Sequence, residues 1–98
     1  MSKLEDTLLA VKDENLDKSQ LENYHAQLTH FLVDLRKEEA RLLKEKALFM
    51  VDKDMPDVKA KRMWDASTSG QRLFDIVAYI RSVKPELESL KTRIYSYL

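Results

Sequence analysis

The chain has no cysteine among its 98 residues, and it has only one glycine and two prolines. The absence of cysteine excludes disulfide bonds, thiolate nucleophiles and zinc sites built on cysteine. Tight turns are made largely from glycine and proline, so a sheet of several strands would need more of them than this composition supplies. The sequence therefore predicts an all-α fold with few, long helices.

Long apolar runs are also missing. The first fifteen residues, MSKLEDTLLAVKDEN, are too charged for a secretory signal, and no stretch offers the ~20 apolar residues of a membrane-spanning helix. Charged residues make up 35% of the chain and hydrophobic residues 44%, a mixture typical of solvated helices with narrow apolar seams. We expect a single cytoplasmic domain over residues 1–98, without a membrane partner.

The net charge is zero, but its distribution is uneven. Residues 1–54 carry 9 Lys and Arg against 12 Asp and Glu, a net charge of −3, whereas residues 55–98 carry 8 against 5, a net charge of +3. Two antiparallel halves of opposite charge attract each other along their length, which is the interpretation we favour. The alternative is a basic C-terminal half that binds nucleic acid.

Helical periodicity is visible in the first half. The helical spacing of Leu4, Leu8 and Val11 predicts a short helix over about 3–13, begun by a Ser2-x-x-Glu5 capping box. Asp17 or Ser19, the latter in a box with Glu22, is a suitable N-cap for a second helix over about 18–52. No glycine or proline interrupts this second helix, which would be about 50 Å long.

The second half returns alongside the first. A loop at about 52–55, with Pro56 in the following turn and Asp54-x-x-Asp57 as a helix start, predicts a long antiparallel hairpin. An unbroken a/d heptad pattern, typical of a coiled coil, then covers the last third of a helix over about 55–97. Its members are Leu73, Ile76, Ile80, Val83, Leu87, Leu90, Ile94 and Tyr97.

Two places in this last helix leave alternatives open. Pro85 takes the outermost heptad position, so the Arg81 carbonyl that it orphans faces water, and we predict a kinked but continuous helix over a break after Val83. The stretch WDASTSGQRLF at 64–74 lacks the strand and the glycines of a phosphate loop. Thr68-x-x-Gln71 could cap a new helix, but we favour one continuous helix with a small-residue notch at Gly70.

Residues able to carry chemistry are sparse. His25 and His30 are five residues apart and cannot share a metal ion on one helix. His30, Asp34 and Glu38 line up at helical spacing and could bind a divalent cation, although an ordinary solvated face is the simpler interpretation. We predict no catalytic residue, no cofactor and no metal site, and hence no enzyme.

The apolar residues point instead to contacts between helices. Met63, Gly70, Phe74 and Val77 form a second stripe beside the heptad seam, and a helix with two stripes usually touches two neighbours. Since a hairpin with one short helix covers both stripes poorly, we expect a homodimer that forms a helical bundle. The predicted contact residues are Trp64, Gly70, Phe74, Ile80, Leu87, Leu90 and Ile94.

Trp64 has two interpretations, a lid over Leu4 and Leu8 of the N-terminal helix or an anchor in a protein interface. The predicted function is a non-enzymatic protein–protein interaction module, such as an adaptor, an inhibitor or an assembly factor. The alternative is a small nucleic-acid-binding accessory protein that uses a basic cluster at the hairpin tip. That cluster consists of Lys59, Lys61 and Arg62.

A short pattern in the C-terminal half adds one suggestion of origin. It runs from Trp64 through Thr68 and Gly70 to Tyr79-Ile80 and Leu90-Lys91-Thr92-Arg93. It resembles small α-helical accessory proteins of tailed bacteriophages, in which the Thr–Gly spacing is one residue longer. The resemblance implies a phage or mobile-element accessory protein and no residue roles.

Overall fold

The computed structural model describes residues 3–51 and 55–97, and within these ranges the chain forms four α-helices and no strand. The all-α prediction is confirmed. The helices are α1 (Lys3–Ala10), α2 (Lys18–Val51), α3 (Asp57–Ala66) and α4 (Thr68–Tyr95). The predicted Ser2 cap and most of the predicted 52–55 loop, with the Asp54 helix start, lie outside the described residues.

Helix α2 begins with a reciprocal cap. The Asp17 carboxylate accepts a hydrogen bond from the Gln20 N–H at 2.8 Å, and the Asp17 N–H donates to the Gln20 side-chain oxygen at 3.0 Å. This is a capping box that satisfies two backbone donors at once. Asp17 is therefore the N-cap, and the alternative start at Ser19 is wrong because Ser19 lies inside the first turn.

The core lies between α2 and α4, which run antiparallel. Arg72 and Ser69, near the start of α4, contact Glu38 and Glu45 in the C-terminal half of α2. Four leucines of α2 spaced seven residues apart are buried against the heptad seam of α4. The buried residues of the two helices include Leu21, Leu28, Leu35, Leu42, Leu73, Ile76, Ile80, Val83 and Leu90. Full burial of each such side chain contributes about 1.5–3 kcal/mol, so this seam is the main source of stability.

The N-terminal segment covers one side of this pair. Its helix ends at Ala10, three residues before the predicted end. Beyond that end, the carbonyls of Val11 and Asp13 accept hydrogen bonds from the Arg93 guanidinium. The Thr7 hydroxyl lies 3.4 Å from the Gln27 side-chain oxygen on α2. Leu4, Val11 and Leu16 are buried in the common core. A helix of eight residues is unstable alone, so docking is what holds it in place.

The interpretation of residues 55–97 as one continuous helix is wrong, because the chain leaves helical geometry at Ser67, whose φ and ψ are −74° and 160°. Ser67 closes one helix and opens the next. Its hydroxyl donates to the Trp64 carbonyl of α3 at 2.5 Å and accepts from the Gly70 N–H of α4 at 3.0 Å. Ser67 is therefore the N-cap of α4, one residue before Thr68, the residue that the sequence offered as a possible cap.

Gly70 is required at this junction by close backbone approach. A Cβ atom added to it would lie 1.8 Å from the Trp64 carbonyl oxygen. The notch predicted at Gly70 exists, but the group that fills it is the end of α3 of the same chain. By contrast, α4 continues through Pro85 as predicted, with no break after Val83.

Candidate contact surface

The predicted contact residues fall into three groups in the structure. Trp64, Gly70, Ile80 and Leu90 are buried within the single chain. Their burial therefore needs no partner. The homodimer expectation depended partly on an uncovered heptad seam, and α2 and the N-terminal segment cover the seam residues Ile80 and Leu90. Leu87 and Ile94 are half-buried at its edge. The third group is one residue, Phe74, which is 73% exposed.

Trp64 takes neither of its two predicted positions. It is 2% exposed and packs on Phe49 with ring centroids 5.7 Å apart and planes tilted by 58°. Leu4 instead lies beside Leu35, about 20 Å along α2 from Phe49. Trp64 therefore fastens α3 to the C-terminal end of α2, and does not cover the N-terminal helix or stand free for a partner.

Phe74 stands on the side of α4 that the chain leaves uncovered. The side chains through which α4 holds the N-terminal segment are Tyr79, bonded to Glu5, and Arg93. Phe74 is five residues from Tyr79, which places it about 140° away around the helix at about 100° per residue. A large aromatic ring is thus left in solvent beside the partly buried Val77.

A groove of about 270 Å³ surrounds this ring, and we refer to it as the Phe74 groove. The residues that line it are Asp65, Gly70, Leu73, Phe74, Val77, Ala78 and Arg81. Its volume lies just below the ~300–1,000 Å³ typical of pockets for small molecules. Sequence reasoning found Gly70, Phe74 and Val77 through the second apolar stripe. It missed Asp65 and Arg81, because exposed charges on a helix carry no signal of their own.

A polar cluster ties the opposite side of α4 to its neighbours. Arg72 donates two hydrogen bonds to Glu38, at 2.9 and 3.0 Å. The hydrogen bond from Arg72 is the largest cause that lowers the pKa of Glu38. The hydroxyl of Tyr79 donates to the Glu5 carboxylate at 2.6 Å, which raises the pKa of Tyr79. Each group has a structural partner, and the cluster positions α1 and α4.

The possible cation ligands are not brought together. The carboxylate of Glu38 is engaged by Arg72, while His30 and Asp34 form an exposed contact of 3.8 Å. Within residues 3–51 and 55–97 no group of three or more His, Cys, Asp or Glu side chains is arranged to hold a metal ion. His30 instead lies at the edge of a surface hollow beside Lys3 and Phe31.

The basic cluster predicted for nucleic acid lies on α3. Lys59, Lys61 and Arg62 are all exposed, and none of the ion pairs of the described residues involves them. They occupy a helix of only ten residues, with Asp57 and Asp65 at its two ends. Among the described residues these three cations have no ion-pair partner, and they lie within four consecutive residues of one short helix.

None of the helices in the described ranges combines the length and apolar character needed to cross a bilayer. No protein-family model matches the sequence, and neither a curated protein nor a solved structure matches it with significance. The resemblance to bacteriophage accessory proteins stays a prediction.

Proposed function

We propose that the chain is a non-enzymatic protein–protein interaction module that self-associates through the uncovered side of α4. The observation that carries this proposal is the exposure of Phe74, a residue with a relative solvent accessibility of 73%. Single exposed apolar residues are common on protein surfaces, but an aromatic ring seated in a groove of small and apolar residues has the form of a contact site.

The arrangement of helices supports the same proposal. The N-terminal segment covers one side of the α2–α4 pair, through Tyr79 and Arg93, and leaves the side of Phe74 open. A helical bundle gains stability when a further helix fills such a side. An adaptor, an inhibitor or an assembly factor would each use this surface, and self-association is the form of contact that can be tested with the purified chain alone.

Sedimentation velocity at concentrations up to tens of micromolar tests the proposal. We expect a dimer for the parent chain and a monomer for Phe74→Ser, with the free energy of unfolding of the monomeric fold changed by no more than about 0.5 kcal/mol because the residue is exposed. Leu9→Ser is the matched control, since Leu9 is 56% exposed on α1, outside the groove. A parent chain that is monomeric at every concentration would contradict self-association.

A second candidate function is the binding of nucleic acid by α3, and the exposure of its three cations, which no ion pair of the described residues involves, favours it. A gel shift at low and moderate salt tests this function. Binding that weakens with salt and is lost when Lys59, Lys61 and Arg62 are replaced together by Gln would support it. A double replacement of Lys84 and Lys91 on α4 is the control for loss of positive charge elsewhere.

A further inference from the structure

The Phe74 groove carries an acidic residue at one end and a basic residue at the other. Asp65 lies at the end of α3 and Arg81 in the second half of the groove, and both are exposed. None of the ion pairs of the described residues involves either side chain. The other residues that line the groove have no polar side chain: they are Gly70, Leu73, Phe74, Val77 and Ala78.

This arrangement is complementary to itself under a twofold rotation. An antiparallel second α4 centred on Phe74 would place the end of the groove beside Asp65 in one copy opposite the end that carries Arg81 in the other. Asp65 is on α3, and its Cα would lie 3.1 Å from a Cβ added to Gly70, so it stands beside Gly70 at one end of the groove. Gly70 is four residues before Phe74 on α4, about 6 Å along the axis, and Arg81 is seven residues after it, about 10 Å; a long arginine side chain spans the difference.

We propose that the occupant of the Phe74 groove is the same groove of a second copy, with the two α4 helices antiparallel and Asp65 of each copy paired with Arg81 of the other. This inference rests on the proposed self-association and adds the orientation to it. A parallel dimer would instead place Asp65 against Asp65 and Arg81 against Arg81. Like charges facing each other across an interface are unfavourable, so the charges select the antiparallel form.

Charge exchange between chains tests this geometry. Asp65→Arg puts two cations at the ends of the groove, and Arg81→Asp puts two anions there. Each variant alone faces like charges at both ends of the dimer, and we expect its dimer dissociation constant to rise roughly tenfold at low salt. An equimolar mixture of the two variants presents opposite charges at both ends, so we expect it to form a heterodimer at near-parental affinity.

Two further variants complete the test. The doubly substituted chain D65R/R81D exchanges the charges within one groove and is expected to dimerise like the parent. Asp75→Arg changes the same charge on the Arg72 side of α4, outside the groove, and is expected to leave dimerisation unchanged. Circular dichroism checks that every variant is folded, which we expect because the substituted residues are exposed.

The outcomes separate the orientation from self-association itself. If each single variant dimerises more weakly than the parent, and the mixture and the double variant regain the parental affinity, the antiparallel pairing is established. If the parent dimerises through Phe74 but the charge variants bind as tightly as the parent, or the mixture binds no better than its components, the orientation is overturned and the contact module stands. If the parent is monomeric, both proposals fail.

Discussion

The two unusual places in the C-terminal half, Ser67 and Pro85, behave in opposite ways. The helix breaks at Ser67, although no proline is there, and it continues through Pro85. At Ser67 the broken ends have partners, since one hydroxyl serves both helices and the Gln71 side chain donates to the Asp65 carbonyl at 2.6 Å. The helix therefore breaks where the backbone groups at the break can form hydrogen bonds, and not wherever helix propensity is lowest.

Pro85 removes one donor, but the surroundings make this removal tolerable. Pro85 and Arg81 are both exposed, so water can reach the carbonyl that loses its partner. Val83 and Leu90, on either side, are completely buried against the core. Breaking the helix here would expose these side chains, and the cost would exceed that of one solvated carbonyl.

Gly70→Ala is the change with the largest expected effect, because it attacks the junction where backbone packs on backbone. The added Cβ would lie 1.8 Å from the Trp64 carbonyl oxygen. The backbone fixes the position of both atoms, so neither can move aside by a side-chain rotation. We expect the free energy of unfolding to fall by about 3 kcal/mol, the upper part of the usual range for overpacking. Urea unfolding followed by circular dichroism measures this loss.

Thr68→Ala is the control for Gly70→Ala, since Thr68 is exposed in the same turn. We expect its stability to lie within about 0.5 kcal/mol of the parent. A Gly70→Ala chain as stable as the Thr68→Ala control would mean that α3 and α4 meet in another backbone arrangement.

Pro85→Ala should act in the opposite direction. Alanine restores the N–H that the Arg81 carbonyl lacks, and it is favoured over proline inside a helix by about 3 kcal/mol. Proline restricts the unfolded chain, which offsets about 1 kcal/mol of this gain. We therefore expect thermal and urea unfolding to report a stability increase of about 2 kcal/mol. The neighbouring Lys84→Ala should be neutral, and a Pro85→Ala chain no more stable than Lys84→Ala would refute the idea that a strained helix is tolerated here.

Ser67→Ala should cost about 1 kcal/mol, the usual value of an N-cap side chain. Ser67→Asp sharpens the test, because a carboxylate can accept from the Gly70 N–H but cannot donate to the Trp64 carbonyl. We expect Asp to recover only part of the loss and Ser67→Thr to recover most of it, as measured by urea unfolding. Full recovery with Asp would show that the bond to Trp64 contributes nothing.

The packing of α2 on α4 could be predicted from the sequence, because a narrow apolar stripe on a charged helix has few ways to be buried. The leucines at 21, 28, 35 and 42 and the heptad seam from Leu73 to Leu90 meet as their spacing requires. The break at Ser67 could not be predicted in the same way. Ala66 and Ser69 fit both a continuous seam and two capped helices, and the decision depends on how close Gly70 comes to Trp64 in space.

The contact surface was predictable only in part. Phe74 could be found because it lies on an apolar stripe away from the main seam. Trp64 could not be placed, because burial against Phe49 requires α3 to turn away from the axis of α4, and that turn follows from the break. An exposed and a buried tryptophan look the same in a sequence when the geometry of the neighbouring junction is unknown.

The smallest predicted effect concerns the ion pair that follows the junction. Arg72 and Glu38 join the start of α4 to α2, and among the described residues no ion pair joins the Pro85 region to α2. The side chains of Arg72 and Glu38 are 47% and 31% exposed, so solvent screens the pair and Glu38→Gln should cost about 0.5 kcal/mol at neutral pH.

The pH dependence of this cost identifies its origin. Arg72 lowers the pKa of Glu38 in the folded chain. The contribution of this ion pair to stability is therefore complete above the ordinary carboxyl pKa of 4.5, and it is lost as the pH falls through the lower pKa that Glu38 has in the folded chain. We therefore expect the stability difference between parent and Glu38→Gln to shrink in acid and in high salt. Asp34→Asn is the control, since the ion pair that Asp34 forms among the described residues is with His30 on its own helix. A difference that persists unchanged in acid would assign the effect to packing of the Glu38 side chain, and the junction at Ser67 would then be held by its caps alone.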